Sequence, residues 1–196
     1  MTVTSLIFEG QPVEAEELTP QAFAKFGFVI SADHQASAVI PGTTGLSSRY
    51  DDIAVFKNEY DRSPNNTVAP LTVNLQRFAP QKGLNLSHGT YHPANLERHP
   101  YTSQTFFPLG VDKYEPAFLV VVAENDKDNL PDLKTVKAFI ARGGQSVTYN
   151  AAVWHGGTSA LRDVLDMTMI MYHNGVKQDE VELIQLENTL PITFKL

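Results

Sequence analysis

The run Ala117-Phe118-Leu119-Val120-Val121-Val122-Ala123 decides the fold class. Its seven residues are strand length, far below the roughly 18 apolar residues of a membrane helix. With no polar alternation, it reads as a strand buried on both faces. Two further segments have the two-residue period of a half-buried strand. In Leu71–Gln76, Leu71, Val73 and Leu75 alternate with Thr72, Asn74 and Gln76, which predicts an inward apolar face. In Val164–Tyr172, Leu165, Met167, Met169 and Met171 share one side, with Asp166, Thr168, Ile170 and Tyr172 on the other. Val181–Leu186 is another candidate strand.

Helices are few. Thr19 can cap a short one over Thr19–Phe26, with Pro20 in its first turn and Gly27 as its end. Leu133, Val136 and Ile140 predict a better one over Asp132–Ala141, stopped by Gly143-Gly144. Nine of the twelve prolines lie between Pro41 and Pro131, so regular central structure should be densest in the last third. Many short strands with few helices favour an antiparallel barrel or sandwich, as a single domain over 1–196.

Composition removes whole classes of chemistry. The chain has no cysteine, which excludes disulfides, iron–sulfur clusters, cysteine zinc sites and a thiolate nucleophile. A formal charge of −7 argues against tracking along nucleic acid. The N-terminal ten residues have no basic segment of a secretory signal. No membrane partner is expected, and the compartment expected is the cytoplasm. The ending Phe194-Lys195-Leu196 keeps the peroxisome as a minor alternative, although Phe stands where a small residue is wanted.

Two histidine-bearing stretches remain. In Leu96-Glu97-Arg98-His99-Pro100, Glu97 and His99 point to one face if the segment is extended, and Gln104 can return to it. Arg98 then points the other way, where a structural pair with a carboxylate and a catalytic role both stay open. The second stretch runs from Gly144 through Tyr149-Asn150-Ala151-Ala152-Val153-Trp154 to His155. A glycine eleven residues before a histidine resembles the second signature of the cupin barrel, with Asn150 and Ala152 replacing its proline and second glycine. The first stretch then looks like a degenerate first signature, in which Glu97 replaces a histidine and Gln104 the glutamate. His34, His88, His92 and His173, taken singly, read as hydrogen-bonded or surface residues. Trp154 and the methionine stripe read as core.

The resemblance narrows further. Glu97-Arg98-His99-Pro100, Gln104, Phe107-Pro108, the run 118–123, Pro131-Asp132-Leu133 and Val153-Trp154-His155 are similar to the ureidoglycolate lyase family of allantoin degradation. Arg49-Tyr50, Arg77 and Asp166 also fall where members carry similar residues, whereas Gly156-Gly157 and the tail after Asn174 depart from them. The resemblance implies a mostly-β, cupin-like antiparallel β-barrel or jelly roll with a few short helices. It implies cleavage of the carbon–nitrogen bond of ureidoglycolate, a small anionic substrate, to glyoxylate and urea. It also implies a homodimer.

That reaction needs a base for a hydroxyl proton, an acid for the leaving nitrogen and a positive group for the carboxylate. Glu97, His99 and His155 are the catalytic candidates, and Arg49, Arg77, Gln104 and Tyr149 the substrate-binding ones. Asp166, in an apolar strand, needs a partner such as an arginine. Glu97, His99, Gln104 and His155 form an oxygen and nitrogen ligand set for one divalent ion (nickel, manganese or zinc). A metal-free polar pocket would read the same, and no organic cofactor is expected. The rival activities are an amidohydrolase releasing ammonia and carbon dioxide, a metal-dependent cupin oxygenase or isomerase, and a non-catalytic small-molecule-binding cupin.

Overall fold

The computed structural model describes residues 5–34, 39–41, 45–187 and 190–196. Ten strands carry the core and the candidate site. They are β1 (Gly27–Ile30), β2 (Leu71–Phe78), β3 (Asn95–Arg98), β4 (Gln104–Leu109), β5 (Pro116–Asn125), β6 (Pro131–Arg142), β7 (Ser146–Tyr149), β8 (Trp154–His155), β9 (Leu165–Tyr172) and β10 (Glu182–Leu186). Two single-turn helices accompany them, α1 (Pro20–Phe23) and α2 (Lys177–Glu180).

Strand β5 is buried on both sides, as its run of apolar residues predicts. Phe118, Val120 and Val122 enter one core with Phe139 and Ala141 of β6, where they meet Phe106, Val147, Leu165, Met167, Met169 and Met171. Leu119, Val121 and Ala123 enter a second core with Val136, Ala138 and Ile140, closed by Trp154, Ile184, Leu190, Ile192 and Phe194. The first core is the space between two sheets, ordered β10–β3–β8–β5–β6 and β1–β7–β4–β9–β2. The hydrogen-bond ladders of the described strands do not join these sheets into one ring. Of the expected barrel or jelly roll, the fold agrees with the jelly-roll-like sandwich.

The helix expected over Asp132–Ala141 is a strand, and β6 is the longest in the molecule. Its apolar residues satisfy both periods over a short window. Long-range pairing with β5, from Pro116↔Arg142 to Asn125↔Pro131, settles the choice. Phe139 and Ile140 then bury opposite faces, which one helical stripe could not do. The α1 expectation holds in shorter form. Thr19 Oγ1 accepts from the Ala22 amide at 3.2 Å, and the helix stops at Phe23. Gly27 opens β1 instead of ending the helix, at φ 154°, where a Cβ would overlap the Thr148 carbonyl.

The period of β2 is as expected but its faces are reversed. Leu71, Val73 and Leu75 are 46%, 69% and 70% exposed, while Thr72, Asn74, Gln76 and Phe78 turn inward. A period of two names two faces without saying which is inside. Phe139, fully buried and edge-on to Phe23 at 5.8 Å, links α1 to the central sheet. Phe139→Ala should cost about 3–5 kcal/mol, read from the urea midpoint. A loss under about 1 kcal/mol would contradict this packing.

Candidate active site

The site is set by ladder register. Glu97 of β3 pairs directly with His155 of β8, and His155 pairs on its other side with Val122 of β5. Directly opposed residues in a ladder project to the same face, so carboxylate and imidazole emerge side by side. His155 Nε2 lies 3.8 Å from Glu97 Oε1. His99 follows β3, and its ring centroid stands 5.5 Å from that of His155. One ligand atom each from Glu97, His99 and His155 lies within 4.8 Å of the others. Two sequence signatures separated by more than fifty residues thus meet at one point.

The turn before β8 explains the altered signature. Ala152 has φ 62°, the left-handed conformation that glycine adopts freely and an alanine adopts at a cost of roughly 1–2 kcal/mol. Its amide donates to the His99 carbonyl at 2.8 Å, tying the two signatures together through backbone. The glycine of the cupin pattern at this place therefore meets a conformational need that this chain meets with strain.

Both rings are oriented by backbone carbonyls. His99 Nδ1 is 2.6 Å from the Glu180 carbonyl, and His155 Nδ1 is 2.9 Å from the Val153 carbonyl. A carbonyl only accepts, so each Nδ1 carries hydrogen and each neutral ring keeps its lone pair on Nε2. Both Nε2 atoms are buried without a partner, as is Gln104 Oε1. Gln104 sits opposite Tyr149 on β7 and Met171 on β9, and its Nε2 rests against the sulfurs of Met169 and Met171 at 3.4 and 3.5 Å. Tyr149 stacks on His155 at 4.3 Å between centroids.

Burial pushes the His99 pKa down, with the Glu180 carbonyl opposing it. Burial, then the neighbouring His99, lowers His155 to about 3. Burial raises the Glu97 carboxyl. Burial and the Glu97 charge raise the Tyr149 phenol. At neutral pH the two histidines are neutral acceptors beside Glu97.

The three acceptors that lie together, Glu97, His99 and His155, suit a cation. Ligands sharing an ion at about 2.1 Å stand roughly 3–4 Å apart, a spacing the Glu97–His155 pair already has. Three buried acceptors lacking hydrogen-bond partners fit a divalent ion on the same grounds.

The expected arginines are elsewhere in this chain. Arg77 shares the outward face of β2 and makes a two-pronged pair with Asp166 of β9, at 2.7 and 2.9 Å. Asp166 thereby has the arginine that its setting demanded. Arg49 lies exposed on the short strand Ser48–Tyr50, paired with Asp51 at 2.8 Å. Arg142 is likewise engaged, holding Glu17. Arg98 points away from the cluster as expected, bonding Glu182 and Asn125 and covering Trp154. Trp154 and the methionine stripe are core. The Glu180 carbonyl escaped notice in the sequence, because a backbone acceptor 81 residues from His99 has no residue-type signal.

A histidine kept neutral by the fold takes up its proton only on unfolding. Its contribution to stability is intact above pH ~6.5 and declines towards pH 3, by about 1.4 kcal/mol per pH unit while only the unfolded chain titrates. Glu97, with a raised pKa, acts in the opposite sense. Thermal unfolding of chelated protein should therefore lose stability from pH 7 to pH 5 more steeply in the wild type than in His155→Gln. Parallel profiles would contradict the burial of a neutral His155.

The sequence matches the family described as ureidoglycolate lyase over residues 10–193. It is 30% identical over 189 residues to a Schizosaccharomyces pombe protein named ureidoglycolate lyase, covering 96% of this chain and 98% of that protein. A Saccharomyces cerevisiae protein of the same name is 33% identical over 172 residues, 83% and 86% of the two chains. An Escherichia coli protein of that name is 34% identical over 154 residues, 78% and 82%. A match of this extent means that the chain belongs to the ureidoglycolate lyase family.

Proposed function

We propose that the protein cleaves ureidoglycolate to glyoxylate and urea, at a site built from Glu97, His99, His155, Gln104 and Tyr149 within a single cupin-like domain. The observation that carries the reading is the set of buried, unpartnered acceptors, His99 Nε2, His155 Nε2 and Gln104 Oε1, beside the Glu97 carboxylate. Such atoms cost about 1–3 kcal/mol each unless something fills their valences. A divalent ion (nickel, manganese or zinc) held by Glu97, His99 and His155, with Gln104 beside them, would supply positive charge for the substrate's carboxylate and hydroxyl oxygens.

The chain's own groups manage the protons. Elimination removes the hydroxyl proton, forms the carbonyl of glyoxylate as the carbon–nitrogen bond breaks, and returns a proton to the departing urea nitrogen. Where Glu97 does not ligate an ion it is suited to carry that proton, since burial raises its carboxyl pKa towards the working pH. The histidine Nε2 atoms accept and do not donate, so they cannot grip a carboxylate by themselves. Arg49 and Arg77 each make an exposed two-pronged pair, with Asp51 and Asp166, so Arg49 would clamp the substrate's carboxylate only by exchanging Asp51 for it. Gln104 Oε1 is an acceptor for ureido N–H groups. A cytoplasmic location agrees with this chemistry, and no described helix is long and apolar enough to cross a membrane.

We also propose a homodimer through the outer face of β2. Leu71, Val73 and Leu75 form an exposed apolar stripe on the edge strand, flanked by Tyr172 and Ile170 of β9. Edges of this kind are covered or blunted in folded proteins.

Glu97→Gln and His155→Ala should each lower urea release at least about tenfold with the fold intact, and Arg49→Ala should act mainly on KM. Stoichiometric ammonia without urea would sink the lyase reading, and binding without any product would favour a non-catalytic role. Chelation should abolish turnover and one divalent ion restore it. Full activity in metal-free protein would reject the metal while leaving the site. In sedimentation, wild type should run as a dimer and Val73→Asp as a monomer. A monomeric wild type would remove the dimer.

A further inference from the structure

His99 is the one member of the cluster outside the strand ladder, since β3 ends at Arg98. Its ring is aimed by the Glu180 carbonyl, at the end of the single-turn helix α2. A four-residue helix does not hold itself in place, because one turn gives too few hydrogen bonds to offset its ordering. Something else must fix that carbonyl.

Asp179, the preceding residue, is only 2% exposed. A buried carboxylate is costly unless its oxygens are satisfied. Asp179 Oδ1 accepts from Asn65 Nδ2 at 2.8 Å and Oδ2 from Asn174 Nδ2 at 2.9 Å. These amides are neutral, so the carboxylate is a tie between two loops and does not act as half of an ion pair. Burial pushes its carboxyl up, but the bonds from Asn65, Asn174 and Ser63 prevail and hold it below the usual range.

The tie extends in both directions. Asn174 Oδ1 accepts from the Val176 amide at 3.0 Å, and Glu180 Oε1 accepts from the Gly175 amide at 2.8 Å. The amides of Asp179 and Glu180 both donate to the Val176 carbonyl. On the other side, Asn66 N donates to Ser63 Oγ, and the Tyr60 hydroxyl reaches the Tyr172 carbonyl. Segment 60–66 and segment 172–180 thus become one unit, with the Glu180 carbonyl as its contact to the cluster.

We propose that Asp179 is a positioning residue for the active site: by clamping α2 between Asn65 and Asn174 it fixes the Glu180 carbonyl, which holds His99 as the Nδ1–H tautomer with its Nε2 lone pair facing Glu97 and His155. The inference rests on the cluster being the functional site, but its test does not require turnover. Partners that orient ligand histidines are typically worth about 10–100-fold in metal affinity or activity.

The tautomer is read directly by long-range nitrogen–proton NMR on chelated protein. Wild-type His99 should show hydrogen on Nδ1. In Asp179→Asn, which turns one oxygen into an amide facing another amide, His99 should show the Nε2–H form or a mixture. Zinc affinity, measured with the metal alone, should fall about 10–100-fold with His155 still in its wild-type tautomer. If Asp179→Asn does not fold, Asn174→Ala, which removes one bond of the clamp, should shift the tautomer in the same direction. An unchanged His99 tautomer with wild-type zinc affinity in a folded variant would overturn the proposal. A shifted tautomer together with wild-type turnover in His99→Ala would keep the clamp and reject the lyase site.

Discussion

Strand β5 has no polar face, and the rest of the molecule is arranged to keep both its sides dry. One side needs the β1–β7–β4–β9–β2 sheet against it, and the other needs the C-terminal segment and the short strands around Tyr91 and Ile192. At roughly 25 cal/mol per Å² of apolar surface, two covered faces stabilise far more than one could. The same strand also carries the ladder in which Val122 meets His155 and β8 meets β3. The hydrophobic wall and the registration of the site are one object. Any shift in β5 would move His155 relative to Glu97.

Within that frame the site is unusual in being built from acceptors. Backbone carbonyls take the Nδ1 hydrogens of both histidines, and the two methionine sulfurs take the Gln104 amide hydrogens. What remains facing inward is lone pairs and a carboxylate. A positively charged or strongly donating occupant is what such a pocket favours, and an anionic substrate must bring or meet a cation there. This links the local chemistry to the overall charge of −7, which gives an anion no long-range attraction.

Much of this was legible in the chain. The double-faced strand, the methionine stripe and the capped turn at Thr19 follow from residue type and spacing, and the convergence of Glu97, His99 and His155 follows from the resemblance to the two cupin signatures. Other readings failed for identifiable reasons. Leu133, Val136 and Ile140 fit a helical face, but pairing with β5, up to 26 residues away, made β6 a strand. Leu71, Val73 and Leu75 have strand period yet face outward, since a period carries no sign. Arg77 shares that outward face by parity, so Asp166 claims it. The Glu180 carbonyl and the Asp179 clamp had no signal at all, being a backbone atom and a loop carboxylate in the tail.

By itself, the sequence determined the chemistry available and the strand-rich character of the fold. The absence of cysteine left oxygen and nitrogen groups, and apolar periodicity placed buried strands where a polar backbone could be satisfied by ladders. Only the tertiary structure decided which face of β2 is inside, which arginine is engaged elsewhere, and which nitrogen of each histidine is free. Periodicity and residue type are properties of neighbours along the chain. Sidedness, ion pairing and tautomer are instead set by groups brought close in space, such as the carbonyl of Glu180 against the ring of His99.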